Sequence, residues 1–173
     1  AAELADELAS ARWVWCGDYS LDNGTGSVPA MLAHHLGLAQ AIHFTGEAND
    51  TEVIQALLAA DIFLGPSVTS ANGDQDAPIN TLKEAMAVGL PVIATRHGGI
   101  PELVTDGVSG VLVPERDPAA LAEAIGRLAA ARERWPDMVR AGRAVLQDKF
   151  DLQARNQQLV AIYRKAIAHH LAQ

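Results

Sequence analysis

The chain has 173 residues, of which 49% are hydrophobic and only 5% aromatic, so it is long enough for one domain with a mainly aliphatic core. Its formal net charge of −8 at pH 7 argues against a nucleic-acid partner, because such proteins present a basic surface. No apolar run approaches the roughly 18 residues of a membrane-spanning helix, and no signal peptide is visible. The single cysteine, Cys16, excludes an intrachain disulfide. Together these three observations favour a cytoplasmic location.

Short apolar segments alternate with helical patterns along the chain. Strands are predicted over Trp13–Cys16, Ala41–Thr45, Ile62–Leu64, Pro91–Ala94 and Gly110–Val113. Helices are predicted over Ala1–Ala11, Val28–Leu36, Asp50–Ala60, Thr81–Val88, Pro101–Val104, a segment opened by Asp117-Pro118, Asp137–Asp148 and Asp151–Leu171. This alternation is typical of βαβ units. We therefore expect an α/β fold with a Rossmann-like, doubly wound parallel sheet in one domain, residues 1–173, that includes the C-terminal helices over 137–171.

Capping residues and spacing add detail to the helices. Asp50 and Asp117 are each predicted to cap a helix N-terminus, and Gly89 is predicted to close the helix that begins near Thr81. The last helix repeats apolar residues at helical spacing, which predicts one buried face. These residues are Leu159, Ile162, Tyr163, Ala166 and Ile167.

The stretch from Asp76 to Leu103 combines features that suit a phosphate-bearing sugar ligand. A polar loop ends at Asp76, a helix begins near Thr81, and a buried strand runs into a Gly-Gly turn. Ligands of parallel sheets bind outside the carboxyl ends of the strands, and the free N–H groups of a helix start attract phosphate. Lys83 lies in the first turn, where its positive charge is slightly unfavourable for the helix dipole. An anion bound nearby would explain a lysine at this position.

Two carboxylates frame this helix start. Glu84 can accept two hydrogen bonds from the vicinal diol of a ribose, as acidic residues do in dinucleotide sites, and Asp76 can bind sugar hydroxyls in the same way. The plainer interpretation of Glu84 is a capping box in which Thr81 caps the helix and Glu84 reaches back to it. Both interpretations remain open at this point.

The run from Asp76 to Val113 resembles the donor-binding, C-terminal half of retaining GT-B glycosyltransferases of the large family 4. The resemblance rests on Asp76-x7-Glu84, which is similar to the family's E-x7-E motif, and on EAMAVGLPVIATRHGGIPELV and DGVSGVLVP. It is most similar to transferases of bacterial exopolysaccharide assembly. It implies one half of a GT-B fold and a nucleotide diphosphate sugar, UDP- or GDP-linked, as substrate, with no cofactor.

The family's site residues map onto matching positions of this chain. The resemblance implies that Asp76 contacts the donor hexose and that Glu84 contacts the ribose. Backbone groups of the helix start are implied to face the diphosphate, at Asn80, Thr81 and Leu82. Three positions after strands are implied to lie near the nucleobase, at Gly46, Pro66 and Ser67.

The chain departs from the family pattern in several places. Asp76 stands where the family usually has Glu, and Gly17-Asp18-Tyr19-Ser20 replaces the usual GDGP turn. The first strand of this half, its basic pair for the diphosphate and the N-terminal acceptor domain are not found in the sequence. We therefore expect the chain alone to be weakly active or inactive, with the acceptor domain or another chain as partner. In the family the last helix packs on the N-terminal domain, so the resemblance also implies that the helix Asp151–Leu171 exposes part of its apolar face here.

Other assignments remain as alternatives. Arg96 either supplies charge to a phosphate or is solvated, and His97 either touches the donor or shapes the turn. No metal site is expected, since the sequence has no HExxH or Cys/His cluster.

The competing functions are a non-catalytic module that binds nucleotide sugars or a partner, and, ranked lower, a GT-B-like sugar-nucleotide epimerase. A homo-oligomer that fills the gap left by the first strand is a further expectation, which light scattering showing a monomer would contradict. Peripheral attachment at the inner membrane face is also compatible with this reading.

Overall fold

The computed structural model describes residues 11–16, 34–75 and 80–171. The predicted first helix lies almost entirely outside these residues, as does most of the helix predicted over Val28–Leu36. Asp76 lies outside them as well. Where the second predicted helix ends, Gly37 has a φ of 73°, which is the left-handed conformation expected of a residue that closes a helix.

Five strands form two parallel sheets in the described part of the chain. They are β1 (Trp13–Cys16), β2 (Ile42–Gly46), β3 (Phe63–Gly65), β4 (Val92–Thr95) and β5 (Val111–Val113). β1 pairs with β2, while β4 lies between β3 and β5, and all three pairings are parallel. The predicted strands agree with these to within one residue at every end.

Six helices connect or follow the strands in the same part of the chain. They are α1 (Asp50–Ala59), α2 (Asn80–Val88), α3 (Ile100–Leu103), α4 (Pro118–Ala130), α5 (Trp135–Lys149) and α6 (Leu152–Leu171), with a short 3-10 helix at Arg132–Arg134. Asp117 caps α4 as predicted, because its carboxylate accepts from the Ala120 N–H at 2.9 Å.

The core lies on both faces of the three-stranded sheet. Val92 and Ala94 of β4 pack in one cluster with side chains of α2 and α3, and Ile93 packs in a second cluster with side chains of α4 and α5. Every residue of β4 is buried, as expected for a central parallel strand covered on both sides. The predicted α/β class and its doubly wound arrangement are confirmed.

A glycine allows β5 to begin close to its neighbours. A Cβ added at Gly110 would lie 2.6 Å from Cγ2 of Val92 and 2.7 Å from Cγ1 of Val104. Side chains do not pack at such distances, so the close approach requires glycine at this position.

The C-terminal end of α2 is held by α5. Gly89 has a φ of 98° and ends the helix as predicted. The Arg143 guanidinium donates to the carbonyl oxygens of Ala87 and Val88, each at 3.1 Å. These carbonyls lack intrahelical partners, so Arg143 both satisfies them and fixes the orientation of α2.

The apolar face of the last helix is exposed, which contradicts the burial predicted from its spacing and agrees with the exposure that the family resemblance implies. The side chains of Leu159, Ile162, Tyr163 and Ile167 on α6 are all exposed, Ile162 to 64%. The helical period was correctly recognised, but a period shows which residues share a face and not whether another element covers that face.

The predicted cap of α1 is also corrected by one residue. Asn49 is the capping residue, because its Oδ1 accepts from the N–H groups of Thr51 and Glu52 at 3.0 and 3.1 Å. The Glu52 carboxylate accepts in return from the Asn49 N–H at 2.9 Å. Asp50 is instead the first helical residue, where its charge only favours the helix dipole.

Replacing Asn49 with alanine is expected to lower the free energy of unfolding by about 1 kcal/mol, because two N–H groups lose their acceptor. Asp50→Ala is the matched control and is expected to cost only about 0.3–1 kcal/mol through the dipole. Urea denaturation of both variants measures this. A larger loss in Asp50→Ala than in Asn49→Ala would return the capping role to Asp50.

Candidate functional site

The carboxyl ends of β3, β4 and β5 meet at one edge of the sheet. Gly65 pairs with Ala94, and Thr95 pairs with Val113. The segments that leave this edge begin at Pro66, Arg96 and Pro114. Because ligands of parallel sheets bind beyond this edge, the loops that follow these strands form the candidate site.

Polar side chains tie these loops together. The Thr95 hydroxyl donates to the Ser67 carbonyl oxygen, which joins the end of β4 to the loop after β3. His97 is buried, with 2% of its side chain exposed, and its Nδ1 lies 2.9 Å from Oε1 of Glu115. The predicted positions Pro66 and Ser67 are therefore at this edge, and His97 shapes it from within.

Glu115 is the centre of this network. Its two carboxylate oxygens accept from the Thr69 N–H at 2.7 Å and from the Thr69 hydroxyl at 3.0 Å. The hydrogen bond from the Thr69 backbone, followed by that from His97, holds the pKa of Glu115 below its ordinary range. The carboxylate is therefore charged at neutral pH, which strengthens each hydrogen bond that it accepts.

Helix α2 presents a second feature of the site. Its first three residues are Asn80, Thr81 and Leu82, and the N–H groups at these positions have no intrahelical acceptor. They form the positive end of the helix dipole, which binds anions. The Leu82 side chain is 0% exposed, so this residue offers only its backbone N–H to a ligand.

The predicted capping box at the start of α2 is wrong. The helix begins at Asn80, so Thr81 is a helical residue, and Glu84 lies one turn along the helix from its first residue. The Glu84 side chain is exposed, and within the part of the chain that the structure describes no group donates to it. Its carboxylate is therefore available to a ligand.

Two basic residues have partners within the chain and need no bound anion to explain their positions. The Lys83 ammonium lies 5.4 Å from the centre of the Phe150 ring, a favourable cation–π distance, so its place in the first turn of α2 needs no bound anion. The Arg96 guanidinium pairs with Asp106 at 2.6 Å. This pairing does not support a role for Arg96 as a phosphate ligand.

The remaining predicted positions are only partly placed. Gly46 ends β2 in the two-stranded sheet with a φ of 73°, a conformation for which glycine is suited. Asp76 lies outside the described residues, so the structure does not position its carboxylate. Thr69, Glu115 and Arg116 were not recognised from the sequence, although the pair Glu115-Arg116 directly after the last strand is a local signal for them.

Residues 11–16, 34–75 and 80–171 contain neither a cluster of metal ligands nor a membrane-spanning helix. No three His, Cys, Asp or Glu side chains in these ranges converge as metal ligands would. None of the helices there is both long and apolar enough to cross a membrane.

Comparison with known proteins gives a consistent result. A family model for glycosyl transferases group 1 matches residues 1–131. The chain is 37% identical over 153 residues to the amylovoran biosynthesis glycosyltransferase AmsK of Erwinia amylovora, covering 87% of this chain and 37% of AmsK. It is 43% identical over 133 residues to the putative colanic acid biosynthesis glycosyltransferase WcaL of Salmonella typhimurium, covering 76% of this chain and 32% of WcaL.

Solved structures show the same likeness. Anabaena HepE in complex with UDP matches with a TM-score of 0.77 and 26% identity, over 94% of this chain and 44% of HepE. The sucrose-phosphate synthase of Thermosynechococcus elongatus matches with a TM-score of 0.78 and 25% identity, over 96% of this chain and 41% of the synthase. The chain thus spans less than half the length of each of these proteins.

Proposed function

Because the chain belongs to the group 1 glycosyltransferase family, we propose that it is the nucleotide-sugar-binding half of a retaining enzyme that transfers a hexose to a saccharide or lipid-linked acceptor. The observation that carries this proposal is the start of α2. The backbone N–H groups of Asn80, Thr81 and Leu82, which have no acceptor within the helix, lie in the turn that precedes the exposed carboxylate of Glu84, for which the described residues supply no hydrogen-bond donor. A ribose diphosphate requires a site for the phosphate anions next to a carboxylate that accepts hydrogen bonds from the ribose hydroxyls.

The proposed donor is a UDP- or GDP-sugar. The diphosphate binds at the start of α2, and the ribose hydroxyls donate to Glu84. The nucleobase binds near Gly46, the last residue of β2, and near Pro66 and Ser67, which directly follow β3. The solved HepE structure that the chain resembles contains UDP, which supports a uridine nucleotide as the first ligand to test.

The proposed chemistry is electrostatic. As the bond between sugar and diphosphate breaks, negative charge grows on the diphosphate, and the positive end of α2 stabilises it there. Asp76 is proposed to hold the hexose hydroxyls, as the motif implies. Its side chain is one methylene shorter than the glutamate usual in the family, which changes its reach toward the sugar and therefore donor choice.

Calorimetric titration of the chain with UDP and GDP tests the donor proposal. We expect binding of at least one with a Kd on the order of 1 mM or below. UMP is the control ligand and is expected to bind more weakly, because it lacks the phosphate that would reach the start of α2. No heat of binding from either diphosphate at millimolar concentration would contradict the proposal.

Turnover is a separate question from binding. The relatives named above are two to three times longer than the matched part of this chain, and transfer by the whole enzyme is proposed to need their remaining length. Donor hydrolysis and transfer assays on the chain alone are expected to show little or no turnover beside clear UDP binding. Efficient transfer by the isolated chain would exclude a binding-only module.

A further inference from the structure

The polar groups of Thr69 are all bonded to two consecutive residues that follow β5. Its N–H and hydroxyl donate to the Glu115 carboxylate at 2.7 and 3.0 Å, and its carbonyl oxygen accepts from the Arg116 guanidinium. We call these three residues, Thr69, Glu115 and Arg116, the Thr69 clamp. The clamp joins segments that are 46 and 47 residues apart in the chain.

Arg116, a member of the Thr69 clamp, has a strained backbone conformation. Its φ is 58°, and it is the only residue other than glycine with a positive φ in the described part of the chain. The left-handed region costs an L-residue other than glycine about 1–2 kcal/mol. Strain of this kind persists where the surrounding structure enforces it, and it is concentrated at functional sites.

His97 fixes the carboxylate of the clamp from the inside of the protein. A charged carboxylate only accepts hydrogen bonds, so the 2.9 Å contact with Glu115 places a proton on Nδ1 of His97. The backbone N–H of His97 donates to the Thr95 carbonyl oxygen at 2.8 Å. The clamp is therefore anchored to the end of the central strand.

The segment held by the clamp is otherwise bonded mostly to itself. Residues 70–74 form a local turn in which Ser70, Asn72 and Asp74 bond to one another. Besides the Thr69 clamp, two polar side-chain contacts join residues 66–75 to other described residues. The Thr95 hydroxyl donates to the Ser67 carbonyl oxygen, and the Thr69 hydroxyl lies 3.5 Å from Nδ1 of His97. This segment contains Pro66 and Ser67 and leads in sequence directly to position 76.

We propose that the Thr69 clamp is a positioning device that holds residues 66–75 in the conformation that binds the donor. The inference rests on the proposed function, because these residues connect Pro66 and Ser67, proposed to bind the nucleobase, with Asp76, proposed to bind the hexose. Ordering a flexible backbone costs about 1–2 kcal/mol per residue. A loop that is already ordered does not incur that cost on binding and therefore binds more tightly.

Two variants of the clamp test the proposal with different side effects on stability. Glu115→Gln keeps the size of the side chain and removes its charge and one acceptor oxygen. Arg116→Gly removes the guanidinium and also relieves the backbone strain, so it is expected to fold at least as stably as the parent chain. Arg116→Lys retains a cationic donor, and Glu123→Gln, at an exposed glutamate paired with Arg127 on α4, is the matched control.

Hydrogen exchange and UDP titration are measured on each variant, with the denaturation midpoint as the measure of global stability. We expect Glu115→Gln and Arg116→Gly to speed amide exchange in residues 66–75 about tenfold or more and to weaken UDP binding several-fold. Amide exchange in the rest of the chain is expected to stay unchanged in both variants. The denaturation midpoint of Arg116→Gly is expected to equal or exceed that of the parent chain. Arg116→Lys recovers part of the loss, and Glu123→Gln behaves as the parent chain.

The outcomes separate this inference from the proposed function. UDP binding of parental strength in both clamp variants overturns the positioning role and leaves the donor site intact. Unchanged exchange in residues 66–75 of Arg116→Gly overturns it as well. Absence of UDP and GDP binding by the parent chain instead overturns the proposed function, whatever the exchange data show.

Discussion

Replacing Glu84 with alanine is expected to weaken UDP binding by about ten- to a hundredfold, because hydrogen bonds to a charged acceptor contribute about 1.5–3 kcal/mol. The Glu84 side chain is exposed on α2, and no group in the described residues bonds to it, so its removal costs the fold little. Calorimetric titration of Glu84→Ala with UDP gives the change in affinity. Glu133→Ala, at an exposed glutamate of the 3-10 helix, is the matched control and is expected to bind as the parent chain does.

The role of Glu84 at the ribose is tested by a second ligand, 2′-deoxy-UDP. The parent chain is expected to prefer UDP, since the deoxy compound lacks one hydroxyl donor. In Glu84→Ala this preference is expected to disappear, because the acceptor for that hydroxyl is gone. A variant that binds both ligands more weakly but keeps the parental preference would show that Glu84 acts elsewhere.

Replacing Leu82 with alanine is expected to lower the free energy of unfolding by about 2–5 kcal/mol, the range for a large side chain removed from a packed core. Leu82 is 0% exposed and packs in the same cluster as Met86 and Leu103. Helix propensity contributes little, since leucine and alanine are both good helix formers. The loss is measured by urea denaturation at neutral pH.

Leu159→Ala is the matched control for this prediction. Leu159 also lies on a helix but is 47% exposed, so its replacement is expected to change stability by less than about 1 kcal/mol. Equal losses at Leu82 and Leu159 would mean that the core beneath α2 is not packed as described. A large loss at Leu82 alone would show that packing of the Leu82 side chain in the core holds the start of α2, the proposed diphosphate site, in place.

Much of the fold follows from local patterns in the sequence. Short apolar runs predicted all five strands of the described residues, and Gly89 ended α2 where expected, because both signals depend on residues adjacent in the chain. The motif between Asp76 and Leu103 identified the glycosyltransferase family, which the family match over residues 1–131 confirms. The assignments of Asp76 and Glu84 to particular parts of a donor remain predictions.

The two errors at helix starts occurred where neighbouring residues offered equivalent local signals. Asn49 and Asp50 are both good caps, and only the backbone geometry decides that Asn49 accepts the N–H groups of Thr51 and Glu52. Thr81 and Glu84 have the spacing of a capping box, but α2 begins one residue earlier. A shift of one residue in a helix start changes which side chains cap and which are free to bind a ligand.

The sequence by itself determined the order of the described strands and helices, the start of α2 to within one residue, and the family. Only the tertiary structure showed that Lys83 lies over Phe150, that α6 is exposed, and that Glu115 and Arg116 hold Thr69 from 46 and 47 residues away. The physical reason is the range of the interactions. Helix and strand patterns arise among residues a few positions apart, whereas a contact between distant segments depends on how all the intervening elements pack.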